Sequence, residues 1–298
     1  MSTTATIRDT AACCSPATSY ESASVDRSDA DAVRASVRAQ YAAVAVGETN
    51  SEGCCGPACG GDANDGVNFI GDGYVGTDGY LADADLQLGC GVPTDLAELA
   101  PGDTVLDLGS GAGVDAFIAR RVVGGDGFVI GVDMTPEMVE KARTNTEALG
   151  YTNVAFRLGE IEALPVESDS IDVAISNCVL NLVPDKAQAF AEMARVLKPG
   201  GHFCVSDVVT RGALPASVKR SAELWAGCVA GAMDEGAYLE GLRAVGFEEV
   251  EVRAAHPLDL PDAALAAFLS PDELGAYRAS GGGLYSVTVF GVKPISTG

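Results

Sequence analysis

The chain is short of histidine and of positive charge. Only His202 and His256 occur in 298 residues, and 19 Lys and Arg stand against 42 Asp and Glu, a formal net charge of −23. A mechanism built on an imidazole base therefore has almost no candidates. A surface this acidic repels phosphate backbones and anionic headgroups, which argues against nucleic acid or membrane as a partner. Long apolar runs are missing as well. No stretch reaches the roughly 20 residues that a membrane helix needs, and Met1 to Tyr20 shows no basic start followed by an apolar segment. These absences lead to the expectation of a cytoplasmic, monomeric chain with a halophile-like acidic surface.

What is present is a large apolar fraction, 47 %, enough for a sizeable core, and nine cysteines. In a reducing compartment that many thiols point to metal binding, catalysis or burial rather than to a disulfide framework. Residues 1–28, rich in Ser, Thr and Ala without a period, read as a flexible tail. Residues 29–93 read as a helix followed by a Cys-rich loop. Val33, Val37, Tyr41 and Val44 recur at helical spacing within Asp29–Val46, and the Gly- and Asp-rich stretch 47–79 carries Cys54, Cys55 and Cys59.

Residues 94–294 alternate between strand and helix patterns. Strands are predicted at Thr104–Leu108, Phe128–Val132, Asn153–Leu158, Ile171–Ser176, His202–Val208, Glu248–Arg253 and Tyr285–Val292. Helices are predicted from Thr135-Pro136 to Gly150, over Lys186–Leu197, and near 216–232 and 235–245. An insertion at about 256–283 separates the last two strands. The alternation implies an α/β fold with a mainly parallel sheet covered by helices on both faces.

The sharpest local motif is Asp107-Leu108-Gly109-Ser110-Gly111-Ala112-Gly113, between a strand and a helix. Glycines there allow a tight turn and close approach of backbone to ligand, and the helix N-terminus offers free N–H groups. Asp133 ends the next strand, where a carboxylate can accept ribose hydroxyls. The spacing G-x-G-x-G differs from the dinucleotide G-x-G-x-x-G. Asp107 before the first glycine suits a cationic amino group, which S-adenosylmethionine has and NAD lacks. Gly159-Glu160-Ile161-Glu162-Ala163-Leu164-Pro165 resembles the adenine-reading loop of class I methyltransferases. That resemblance implies a doubly wound, Rossmann-like seven-stranded sheet with an antiparallel last strand. It makes Asp107, Gly109, Gly111, Gly113, Asp133, Met134, Glu160, Ile161 and Asn177 the expected cofactor-binding residues.

Cys178 follows the fourth strand directly, where ligands of open α/β sheets bind. Four segments together, Cys54-Cys55-Gly56-Pro57, Leu88-Gly89-Cys90-Gly91, Ser176-Asn177-Cys178-Val179-Leu180-Asn181-Leu182 and Gly227-Cys228, resemble the arsenite methyltransferase family. The resemblance runs over roughly residues 33–256 and returns at Tyr285–Val289. It implies that Cys90, Cys178 and Cys228 hold trivalent arsenic, and that an N-terminal thiol, Cys54 or Cys55, supports turnover. A counterpart of the separate C-terminal domain of some members is not expected, and Cys13-Cys14 is an additional pair. The chemistry agrees: arsenic(III) is thiophilic, and its lone pair needs no proton removed before accepting a methyl group. Methylation oxidises arsenic, so re-reduction leaves a protein disulfide for thioredoxin or glutathione to reopen. Cys204, in an apolar strand, reads as a buried hydrophobe. The alternatives are a methyltransferase of a small organic acceptor and a non-catalytic arsenite- or metal-binding protein, the latter disfavoured by the cofactor loop.

Overall fold

The computed structural model describes residues 30–47, 74–212, 231–258, 262 and 269–295. The expected tail, most of the Cys-rich loop and the helical stretch near 216–232 lie outside these residues, as do Cys13, Cys14, Cys54, Cys55, Cys59 and Cys228.

The elements in chain order are α1 (Ala30–Ala45), β1 (Thr104–Leu108), α2 (Val114–Val123), β2 (Phe128–Asp133), α3 (Pro136–Leu149), β3 (Val154–Leu158), β4 (Ile171–Asn177), α4 (Lys186–Val196), β5 (Leu197–Arg211), β6 (Met233–Asp234), α5 (Glu235–Ala244), β7 (Glu248–Leu258), α6 (Pro271–Ser280) and β8 (Gly283–Val292). The sheet runs β3-β2-β1-β4-β5-β8-β7, with β8 antiparallel to both its neighbours. The expected seven strands are all present. The two-residue β6, paired in parallel with the end of β5, makes eight. α6 falls inside the expected insertion.

Alternating side chains along each strand feed two apolar layers. Leu106, Leu108, Phe203, Val205 and Val209 face α4 and α5, where Phe190 stands edge-on to Tyr238 at 5.4 Å between centroids. Val105, Val129, Ile175 and Cys204 face α2 and α3, where Phe117 meets Phe156 edge-on at 5.8 Å. α3 begins with Thr135 and Pro136 and stops at Gly150 in a left-handed conformation, as its sequence signals require. The Thr135 side chain makes no capping bond. Its hydroxyl bonds Asp133 instead. His202 is structural, its Nε2 lying 2.7 Å from the carbonyl of Ala97. Among the described residues no helix is long and apolar enough to cross a membrane.

One buried charge sits inside the first layer. Asp207 on β5 is almost fully buried, which pushes its carboxyl up to about 7 despite the Val208 amide, nearby Lys186 and the Tyr238 hydroxyl. A folded-state value above that of the unfolded chain means that the native state binds the proton more tightly. The resulting stability is present at low pH and is lost as pH rises through about 7. Asp207→Asn should therefore flatten this decline, retaining about 2–4 kcal/mol more of its low-pH stability at pH 8 than the parent does. Urea midpoints of both proteins at pH 5 and pH 8 measure it.

Candidate active site

The cofactor loop takes the shape its glycines permit. Gly109, Gly111 and Gly113 have φ of 68°, 50° and 100°, a region that side chains disfavour. The loop opens into a cleft of about 1030 Å³, mouth included, at the carboxyl ends of β1, β2 and β4. Asp107, Gly109, Gly111, Asp133, Met134, Ile161, Asn177 and Cys178 all line it, whereas Gly113 lies behind the loop against Phe117 and Phe156. Asp133 Oδ1 accepts from the Thr135 amide at 2.8 Å and Oδ2 from the Gly111 amide at 3.0 Å, so the carboxylate pins the loop while facing the cleft.

Negative charge is concentrated here. Burial, together with Asp115 and Asp133, drives the Asp107 carboxyl well above the usual carboxylate range, against one bond from the Ala116 amide. Burial also raises Asp115 to about 6 and lifts Asp133. Asp107 Oδ2, Asp115 Oδ1 and the Ser110 hydroxyl are buried without a partner among the described residues. Buried polar atoms are seldom left so, and these call for a polar, cationic ligand group. Met134 and Ile161 supply an apolar stretch of the same wall. The donor set therefore fits S-adenosylmethionine: carboxylates for its ammonium, Asp133 for its ribose, and Met134 and Ile161 against its base.

Helix α1 lies along this cleft, which the sequence did not indicate. Arg34, Val37 and Tyr41 line it. Arg34 pairs with Glu162 at 3.0 Å and Glu160 at 3.4 Å, and Arg38 reaches Glu160 at 3.4 Å and the Met134 carbonyl at 3.2 Å. Both Glu160, expected to meet the cofactor, and Glu162 are thus engaged by α1, and of the two Glu162 is among the residues that line the cleft.

The thiols converge at the end of β4. Cys178 leaves the strand with φ of 60°, a left-handed conformation that costs a non-glycine residue about 1–3 kcal/mol and is characteristic of functional turns. Its amide donates to the Ser206 carbonyl at 2.8 Å. On the far side of the turn Asn181 Nδ2 holds the Val208 carbonyl at 2.6 Å. Cys90 and Cys178 are both buried, 3 % and 2 % exposed, and share one apolar cluster with Val208 and Leu284. Gly91 beside Cys90 lies so close to β5 that a Cβ would overlap the Ser206 side chain. Cys204 belongs to the opposite layer, where burial pushes its thiol up to about 12, so it stays protonated and inert.

Cys228 is outside the described residues, but the chain resumes beside the thiol turn. A Cβ on Gly231 would overlap the Asn181 carbonyl, and Ala232 packs on the Cys90–Cys178 cluster. Among the described residues no group of three His, Cys, Asp or Glu could hold a metal ion, since they include only two of the expected thiols at this place.

The family model described as a methyltransferase domain matches residues 86–255. The chain is 42 % identical over 284 residues to an arsenite methyltransferase of Halobacterium salinarum, covering 89 % of this chain and 68 % of that protein. It is 38 % identical over 185 residues to an arsenite methyltransferase of Aquipseudomonas alcaligenes, covering 60 % of this chain and 53 % of that one. Among solved structures it resembles an arsenic(III) S-adenosylmethionine methyltransferase from Chlamydomonas reinhardtii, with a TM-score of 0.60 and 38 % identity over 70 % of this chain and 68 % of the other. With the methyltransferase sheet, the glycine-loop cleft and two buried cysteines at its edge in agreement with these likenesses, the chain belongs to the arsenite methyltransferase family.

Proposed function

We propose that this protein methylates trivalent arsenic held by Cys90, Cys178 and Cys228, using S-adenosylmethionine. The observation that carries the reading is Cys178. It sits in a left-handed turn, lines the cofactor cleft, and shares its apolar cluster with Cys90. Cys228 precedes Gly231 by three residues in the sequence, and Gly231 abuts the thiol turn.

Asp107 would hold the cofactor's ammonium, Asp133 its ribose, and Met134 and Ile161 its base. The arginine-held helix α1 would cover it. When bound, S-adenosylmethionine supplies an electrophilic methyl group, for which the arsenic lone pair is the acceptor. The protein's own work is then positioning: three sulfurs fix the arsenic, and the surrounding Val208 and Leu284 keep water away. No side chain has to remove a proton from arsenic, which suits a site without histidine. Methylation takes arsenic from the trivalent to the pentavalent state. Two thiolates can return the two electrons by forming a disulfide, with Cys54 or Cys55 as the further thiol and a thioredoxin- or glutathione-type reductant to reopen it. Residues 94–294 would form the S-adenosylmethionine-dependent methyltransferase domain, to which the preceding segment adds α1, Cys90 and the N-terminal thiol, in a protein acting as a monomer in the cytoplasm.

Purified protein incubated with arsenite, S-adenosylmethionine and a thiol should yield methylated arsenic by mass spectrometry. Binding of arsenite without any methylated product would make it a sequestering protein. Cys178→Ser should lose at least about a hundredfold in arsenite methylation, because a misplaced reactant costs that much, while radiolabelled cofactor still binds. Full activity in this variant removes Cys178 from the mechanism. Asp133→Ala should weaken cofactor binding about tenfold or more through the lost charge-assisted bonds. An unchanged dissociation constant contradicts the ribose assignment.

A further inference from the structure

Cys90 lies on an irregular segment before β1, a place where chains are usually mobile. Here every backbone polar group of Cys90 and Gly91 is engaged. The Cys90 amide donates to Asn177 Oδ1 at 3.0 Å, and the Gly91 amide to the same oxygen at 3.2 Å. The Ser286 hydroxyl donates to the Cys90 carbonyl. Asn177 Nδ2 donates to the Gly91 carbonyl at 2.6 Å. One asparagine therefore clasps the dipeptide from both sides, and that asparagine immediately precedes Cys178.

Asn177 is in turn held by two residues the sequence did not single out. Its Nδ2 donates to the Tyr74 hydroxyl and lies 3.2 Å from Asp115 Oδ2. The Tyr74 hydroxyl donates to Asp115 Oδ2 at 2.7 Å and lies 3.3 Å from the Gly91 carbonyl. A primary amide has two donor hydrogens and two acceptor lone pairs. The two backbone amides take both lone pairs, and the Gly91 carbonyl with the Tyr74–Asp115 pair takes both hydrogens. Asn177 lines the cleft with no hydrogen-bonding capacity left for a ligand. Tyr74 is 4 % exposed and Asp115 5 %, so water does not compete for these bonds.

We infer that Tyr74 and Asp115, acting through Asn177, are positioning residues that hold Cys90 against the end of β4 and so set its sulfur beside that of Cys178. The inference rests on the arsenite reading of the same site. It departs from the expectation that Asn177 serves the cofactor. An arsenic ion bridging thiols tolerates little misplacement, so a brace on an irregular segment that carries a ligand is a place where preorganisation matters.

The test is a cycle of wild type, Tyr74→Phe, Cys90→Ser and the double variant. Arsenite dissociation constants come from equilibrium dialysis without cofactor, and S-adenosylmethionine dissociation constants are measured separately. Tyr74→Phe should weaken arsenite binding about tenfold when Cys90 is present and less than about twofold in the Cys90→Ser background, the non-additivity expected of groups that act as one unit. Tyr74→Phe also takes a bond from the Asp115 carboxylate in the cofactor cleft, so any change in cofactor affinity should be the same with and without Cys90, in contrast to the arsenite effect. If Tyr74→Phe does not fold by circular dichroism, Asn177→Ala goes through the same cycle with the same expectation. An equal loss of arsenite affinity in both backgrounds overturns the inference, as does loss of cofactor binding with arsenite affinity intact. A wild-type protein that binds no arsenite sinks the functional reading itself, an outcome distinct from either of these.

Discussion

At the carboxyl end of β4 the backbone changes hand within one residue, from extended Asn177 to left-handed Cys178, and both halves of the site hang on that change. Ahead of the bend, Asn177 reaches across to Cys90 and Gly91. Beyond it, Val179 packs so tightly on Gly109 that a side chain there would collide with it, which joins the thiol turn to the cofactor loop. The strand order supplies the reason for the location. β1 lies between β2 and β4, so successive connections leave it in opposite directions and open a crevice at their carboxyl ends. In the proposed reading, two reactants that must meet are thus carried by adjacent strands of one sheet.

The electrostatics of the cleft follow from the same packing. Asp107, Asp115 and Asp133 share a buried space, where burial hinders ionisation of all three and the charges of Asp115 and Asp133 hinder that of Asp107 further. Such an arrangement is uncomfortable for the protein alone and is relieved by a positive charge, in the proposed reading the ammonium and sulfonium of the cofactor. Two nearby cations on α1, Arg34 and Arg38, do not enter this group. They are spent on Glu160 and Glu162 at the rim, which fastens the helix across the cleft rather than neutralising its floor.

Much of this was legible from sequence because it rests on local rules. The Asp107–Gly113 motif announces a turn that only glycine can make, and Pro136 and Gly150 bracket α3 as helix signals should. The strands were readable as apolar runs, although β5 and β7 extend beyond them, since sheet pairing with β8 continues past the hydrophobic stretch. Other features depend on contacts distant in sequence and left no local trace. Tyr74 and Asp115 are 41 residues apart and meet only because the β1–α2 turn brings them together. The pairing of Glu160 and Glu162 with Arg34 and Arg38 of α1, more than 100 residues earlier, has no mark in the sequence of their loop. The left-handed Cys178 is likewise invisible, because residue type there suggests nothing of its backbone.

The central claim is that sulfurs from separate segments meet on one arsenic ion beside the cofactor cleft. X-ray absorption at the arsenic edge of the arsenite-loaded protein, before cofactor is added, tests it most directly. The account predicts a shell of three sulfur neighbours in the wild type, falling to two when Cys90, Cys178 or Cys228 is singly replaced by serine. A shell dominated by oxygen, or one unchanged by all three replacements, would contradict it.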